Sequence, residues 1–243
     1  MHTEKRNGSL FLYCLIALLL IVTASLLHQL YLRYFRDADA VLADGERRTL
    51  ILDAGHGGFD GGAVSVTGTA EKTLNLETTL SVAELLHLLG YDVILTRDSD
   101  ISLTSEAASS RKMQDLRGRL AIAEANPGVP FLSIHMNKFP QSRYRGLQVY
   151  YSTHHPSGQI LAETIQSAVQ ASLQPDNNRA IKPATSAIYL LHRIHSPAVL
   201  IECGFLSNPD EALLLEDPVY RTKLAVLLAT SYASWHTASA EAE

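Results

Sequence analysis

The sequence predicts an α/β domain built on a mostly parallel sheet, and three observations lead there. Short apolar, β-rich runs alternate with helical patterns from Thr49 onward. The first two strand-like runs flank one amphipathic segment, a β-α-β arrangement that makes the strands parallel with a right-handed crossover. His56, His135 and Glu202 each stand at or just past the end of such a run. In open α/β sheets, sites gather beyond the carboxyl ends of strands.

The elements follow in order. Thr49-Leu50-Ile51-Leu52 is the first strand and ends in glycine turns. Leu74 to Leu89 carries apolar residues at 76, 80, 83 and 86, a helical spacing, and Gly90 is a natural stop. Glu71-Lys72 opens that helical pattern. Asp92 to Arg97 is the second strand, Leu116 to Glu124 the next helix, and Phe131 to His135 the next strand. Gly146 to Tyr151 is rich in β-formers. Gln159 to Leu173 reads as a helix and Ala198 to Ile201 as a fully apolar strand. Pro209 to Leu215 and Tyr220 to Trp235 close the domain as helices. Strands this apolar belong to a sheet covered on both faces.

The N-terminus reads differently. Leu10 to Leu27 holds no charge and follows Lys5 and Arg6, the pattern of a signal anchor. Residues 1–36 are therefore expected to form one hydrophobic anchor helix in a membrane, 37–48 a polar linker, 49–236 the catalytic domain and 237–243 a tail. The domain is expected on the extracytoplasmic face. The alternative is secretion after cleavage at Ala38-Asp39-Ala40, although that site lies well beyond the apolar run. The net charge is −5, and four of the cations lie in the first 36 residues (Lys5, Arg6, Arg33, Arg36), so the remainder is more acidic still. That excludes nucleic acid as the partner, because binding phosphates needs a basic face. Cys14 and Cys203 lie in unrelated segments and form no disulfide framework.

Three islands carry the chemistry: Asp53-Ala54-Gly55-His56-Gly57-Gly58, Ser133-Ile134-His135-Met136-Asn137 and Leu200-Ile201-Glu202-Cys203-Gly204-Phe205. Two imidazoles and a carboxylate suit a catalytic zinc, which takes three protein ligands and leaves a position for water. A second, non-ligating carboxylate serves as proton acceptor. Each residue has a structural alternative: a glycine turn for the first island, a hydrogen-bonded core histidine for His135, a dipole-favoured first-turn residue for Glu71. Glu202 is the hardest to dismiss, since a carboxylate in an apolar strand is costly unless paired, metal-bound or functional. The other histidines fit less well. His154-His155 sits in a polar loop, and His192 and His195 precede Pro197 in another. Cys203 lacks a local base and reads as a small buried residue. No phosphate-binding loop or serine elbow is present.

These landmarks, with Glu71-Lys72, Leu95-Thr96-Arg97 and Glu202-Cys203-Gly204-Phe205-Leu206-Ser207-Asn208, occur in order over residues 50 to about 235. They resemble the zinc-dependent N-acetylmuramoyl-L-alanine amidases of bacterial cell walls. The bare domain, the short anchor and the stretch Ser110 to Arg117 are most similar to the germination-specific, CwlD-type amidases. The resemblance implies a twisted six-stranded sheet surrounded by helices. It implies Zn2+ held by His56, Glu71 and His135, with Glu202 as the catalytic carboxylate. Peptidoglycan is the implied substrate, cut between muramic acid and L-alanine of the stem peptide, and an activating protein is an implied partner. The implied physiology is spore-cortex maturation toward muramic-δ-lactam and germination. General vegetative wall hydrolysis and non-catalytic wall binding are the rival readings. The chain departs from many relatives in having Ala54 for proline and Glu124 for asparagine. It has only the loop Ser152 to Ser157 where some relatives insert an inhibitory helix.

Overall fold

The computed structural model describes residues 16–17, 19, 21–29, 48–104 and 110–240. The chain divides into two compact units, Met1–Arg47 and Arg48–Glu243. In the first unit, residues 21–29 are helical and exposed. The anchor expected over residues 1–36 lies largely outside the described residues, as do nearly all of the linker and the Ala38–Ala40 cleavage site. Among the described residues, no helix is long and apolar enough to cross a membrane.

The second unit is an α/β domain with a six-stranded sheet. Its strands are β1 (Thr49–Ala54), β2 (Asp92–Leu95), β3 (Phe131–Asn137), β4 (Gln148–Tyr151), β5 (Lys182–Pro183) and β6 (Ala198–Phe205). The helices are α1 (Glu71–Leu88), α2 (Arg111–Glu124), α3 (Pro156–Ser172), α4 (Pro209–Glu216) and α5 (Pro218–Ala240). Strand order is β2-β1-β3-β6-β4-β5. The first four in that order are parallel, and β4 runs antiparallel to β6 with β5 parallel to β4. From β1 the chain goes first to one side (β2) and then to the other (β3), and the crevice at such a switch point is where parallel sheets bind ligands.

Alternation along the strands decides what each face carries. Leu50, Leu52, Leu132, Ile134, Met136, Val199, Ile201 and Cys203 face one large apolar core, closed by α5 packed against both α1 and α3. Ile51, Phe131 and Ala198 face a smaller core with Leu120, Ala123, Leu190, Leu191 and Ile194. Toward the carboxyl ends this second face turns polar: Asp53 on β1, Ser133 and His135 on β3 and, past Leu200, Glu202 on β6. Among the described residues, α2 and the irregular segment 184–194 cover that face, and the polar positions collect between them.

Helix α1 differs from its apolar pattern. Leu76 and Leu80 are only half-buried, while Glu71, Leu74, Asn75, Thr78, Thr79, Val82, Ala83 and Leu86 are buried. The buried stripe is rotated because its first two turns sit beside the strand ends, where polar side chains find partners. Asn75 donates to the Gly55 carbonyl at 3.1 Å and Thr79 to the Asn75 carbonyl at 2.7 Å. Helix α5 runs to Ala240, through residues 237–240 of the expected tail.

Candidate active site

The loop after β1 is shaped before it can hold anything. His56 is the one non-glycine residue with positive φ among those described, at 63°, a conformation that is uncommon outside glycine. Two arginines fix it. Arg97 donates to the carbonyls of Ala54 (2.8 Å), Gly55 (3.0 Å) and Lys72 (2.8 Å). Arg119, from α2, donates to the carbonyls of Ala54 (2.8 Å) and His56 (2.6 Å).

Arg119 is itself buried and doubly paired, with Asp53 through a short contact and with Asp115 at 2.7 Å. Asp53 also accepts from Ser133 (2.6 Å) and Thr96 (2.7 Å). Burial opposes the charge on Asp53, but Arg119 and these hydroxyls outweigh it and hold the carboxyl below its ordinary value. A buried ion pair is tolerable only when its remaining donors and acceptors are met, and here they are.

His56, Glu71 and His135 meet at one point. Glu71 Oε1 lies 3.2 Å from His56 Nε2 and 3.0 Å from His135 Nδ1. The candidate ligand atoms all lie within 4.8 Å of one another. Glu71 is oriented by the backbone N–H groups of Ala63 (2.8 Å) and Met136 (3.2 Å) and by Asn75 Nδ2 (3.2 Å). Burial works against its ionisation, yet His135 and His56 hold its carboxyl well below the usual carboxylate range. Among the described residues, no Lys or Arg is ion-paired with Glu71, and the carboxylate and imidazoles converge in a way that suits a divalent cation. On the far side of His56, Asp60 Oδ2 stands 2.9 Å from Nδ1, close but out of line with the ring N–H.

Glycines make room for this cluster. A Cβ at Gly55 would overlap the His135 ring, and one at Gly62 would stand 2.5 Å from Glu71 Oε2. The glycine-rich spelling of the first island therefore follows from close approach as well as from turning.

Glu202 is the cross-strand partner of His135 in the β3–β6 register. It lines the same cavity of about 240 Å³ as His56, His135, Asp60, Lys112 and the Ala187–Leu190 segment. Its Oε2 is enclosed and has no hydrogen-bond partner among the described residues. Burial, partly offset by His135, pushes its carboxyl up to about 7. A carboxyl held near neutrality, with one oxygen unpartnered and its side chain lining a cavity, can both take and return a proton.

All four residues singled out from sequence thus come together, and the other candidates do not. His154, His192 and His195 gather elsewhere. The His154 ring lies 4.8 Å from that of His195 and 6.1 Å from that of His192. Glu124 is exposed at the end of α2 and lines a separate cavity with His155 and His195. Cys203 lies on the opposite face, where burial pushes its thiol well up. Asp60, Asn75, Arg97 and Arg119 shape the site without having been assigned a role from sequence. Asp60, four residues after His56, had the clearest signal.

The family model for N-acetylmuramoyl-L-alanine amidases matches residues 50–232. The chain is 37% identical over 181 residues to the germination-specific N-acetylmuramoyl-L-alanine amidase of Bacillus subtilis (strain 168), covering 73% of this chain and 75% of that one. Among solved structures, it resembles the CwlD amidase from Clostridioides difficile in complex with the GerS lipoprotein. That match has a TM-score of 0.75 at 39% identity, covering 79% of this chain and 99% of that one. It also resembles the N-acetylmuramoyl-L-alanine amidase AmiC2 of Nostoc punctiforme, with a TM-score of 0.68 at 29% identity, covering 79% and 98%.

Proposed function

The chain belongs to the N-acetylmuramoyl-L-alanine amidase family, and from that premise we propose that His56, Glu71 and His135 hold a zinc ion while Glu202 moves the protons. The observation that carries this reading is Glu202, with one oxygen lacking a hydrogen-bond partner among the described residues, lining the same cavity as His56 and His135, which converge with Glu71. The donor set, two imidazoles and one carboxylate, is one that catalytic zinc uses. A zinc ion held there supplies Lewis acidity to water and to the carbonyl under attack.

The chain's own residues do the rest. Glu202 accepts a proton from the attacking water as its oxygen bonds to the lactyl carbonyl carbon. The same carboxyl then gives a proton to the nitrogen of L-alanine as the C–N bond breaks. The products are a muramic acid with a free lactyl carboxyl and an intact stem peptide. Asp53 and Arg119 stay charged and paired, and act by holding the His56 loop still.

We assign the enzyme to the spore cortex. The support is its likeness to a germination-specific amidase. Removing whole stem peptides exposes lactyl carboxyls, which close with a freed sugar amine into muramic-δ-lactam. That the similar CwlD amidase was solved in complex with a lipoprotein supports a protein partner here as well. An anchored domain outside the cytoplasm suits a substrate found only there. A reporter fused after Glu243 should then behave as extracytoplasmic, and a cytoplasmic signal would overturn this placement.

Analysis of products from purified muropeptides tests the activity. Release of intact stem peptides with new muramic carboxyls supports it, and cleavage between amino acids would make the protein a zinc peptidase instead.

A further inference from the structure

We propose that Lys112 is a specificity residue that reads a free carboxylate on the stem peptide, one residue beyond the scissile amide. This rests on the amidase reading of the same cavity and adds the class of peptide it takes: acidic rather than amidated.

Among the described residues, the cavity that contains His56, His135 and Glu202 is lined by two Lys or Arg side chains, Arg119 and Lys112. They differ in every respect that matters for a ligand. Arg119 is buried, and Asp53, Asp115 and two carbonyls take up its donors. Lys112 is 68% exposed at the mouth, and its one described partner is Asp60 Oδ2 at 3.5 Å. That distance is outside hydrogen-bond range, and an ion pair so exposed contributes little to stability. Asp60 has another anchor, since the Gly62 N–H donates to its Oδ1 at 3.2 Å, and its Oδ2 stands 2.9 Å from His56 Nδ1.

Its place in the helix makes the cation harder to explain by folding. Arg111 and Lys112 begin α2, whose first turn holds no acidic residue and whose Ser110 N-cap makes no side-chain hydrogen bond. Cations at this end oppose the helix dipole. Arg111 has a visible occupation, stacked 4.5 Å over the Phe59 ring. Among the described residues Lys112 has no partner closer than Asp60, and it lines the cavity.

The distance scale selects the ligand. A cavity of about 240 Å³ is roughly two extended residues across, at about 3.4 Å each. A side chain on its rim therefore meets what lies next to the bond being cut. In a stem peptide that neighbour is a glutamate joined through its side chain, which leaves its α-carboxylate free or amidated. A flexible ammonium with spare donors matches the carboxylate and gains nothing comparable from the amide.

The test uses the full-length, zinc-loaded protein in detergent and two soluble disaccharide-peptides. They differ only at the second residue, D-glutamate or D-isoglutamine. The wild type should favour the free acid roughly fivefold, mostly in KM, the range of a partly exposed charge pair. Lys112→Gln should bring that ratio to about one, and Lys112→Glu should reverse it. Equal treatment of both peptides by the wild type overturns the proposal. So does a Lys112→Gln variant that weakens both alike, or one that only relieves inhibition by the muramic carboxyl product. If neither peptide is cleaved, the amidase reading fails instead. Calorimetric binding of the two peptides to wild type and Lys112→Gln then still decides whether Lys112 sets the preference.

Discussion

Arg119 Nη2 donates to the carbonyl oxygen of His56 at 2.6 Å. The cation that closes the second face of the sheet therefore also sets the backbone of a candidate metal ligand. One residue ties the small core to the site, because its other donors reach Asp53 on β1 and Asp115 on α2.

Replacing Arg119 with Met should leave Asp53 and Asp115 buried without their partner. The loss in unfolding free energy should be about 3–5 kcal/mol, read from denaturant midpoints. Lysine should not rescue it, since one ammonium cannot reproduce the fork of contacts. A loss under about 1 kcal/mol would show that the two carboxylates find other support.

Gly55→Ala should keep the fold and damage the site. The added Cβ would overlap the His135 ring, so the ring must swing away from Glu71. Zinc affinity, measured by competition with a chelating dye, should fall at least about tenfold, the scale on which supporting positions act on a metal. Affinity within twofold of wild type would show that His135 tolerates displacement or is not a ligand.

Glu202 should also leave a signature in stability. In the metal-free protein its folded-state carboxyl titrates near 7, above its ordinary value of 4.5. Between those values the folded chain binds more protons than the unfolded chain. Its contribution to stability is full below the ordinary value and is lost as pH rises to about 7. Glu202→Gln lacks this dependence. Relative to wild type, the variant should gain roughly 2–3 kcal/mol across that window. Denaturation in chelator at pH 4.5 and pH 8 measures it, and a wild-type-to-variant gap that stays constant would refute the raised value.

Much of this was legible in the sequence, and the reasons for the rest are physical. Strand β6 reads plainly because one face is apolar and Glu202 interrupts the other. His56, His135 and Glu202 read as a set because each stands at or near the end of a strand-like run, while Glu71 opens the first helix. The buried stripe of α1 does not, because Asn75, Thr78 and Thr79 look like surface residues until the strand ends beneath them are known. Strand β5 has two residues, too few to show any period. The pairing of Arg119 with Asp53 joins positions distant in sequence, and either alone reads as solvated. Leu190, Leu191 and Ile194 sit in what looks like a loop, yet they complete the second core in place of a helix.

The most direct test of the central claim is Glu202→Gln, with bound zinc and muropeptide turnover measured on the same preparation. Zinc should stay near the wild-type level while turnover falls by at least about two orders of magnitude, the scale for removing a general base. Turnover close to wild type would contradict Glu202 as the proton carrier, and loss of zinc with turnover would make it a ligand.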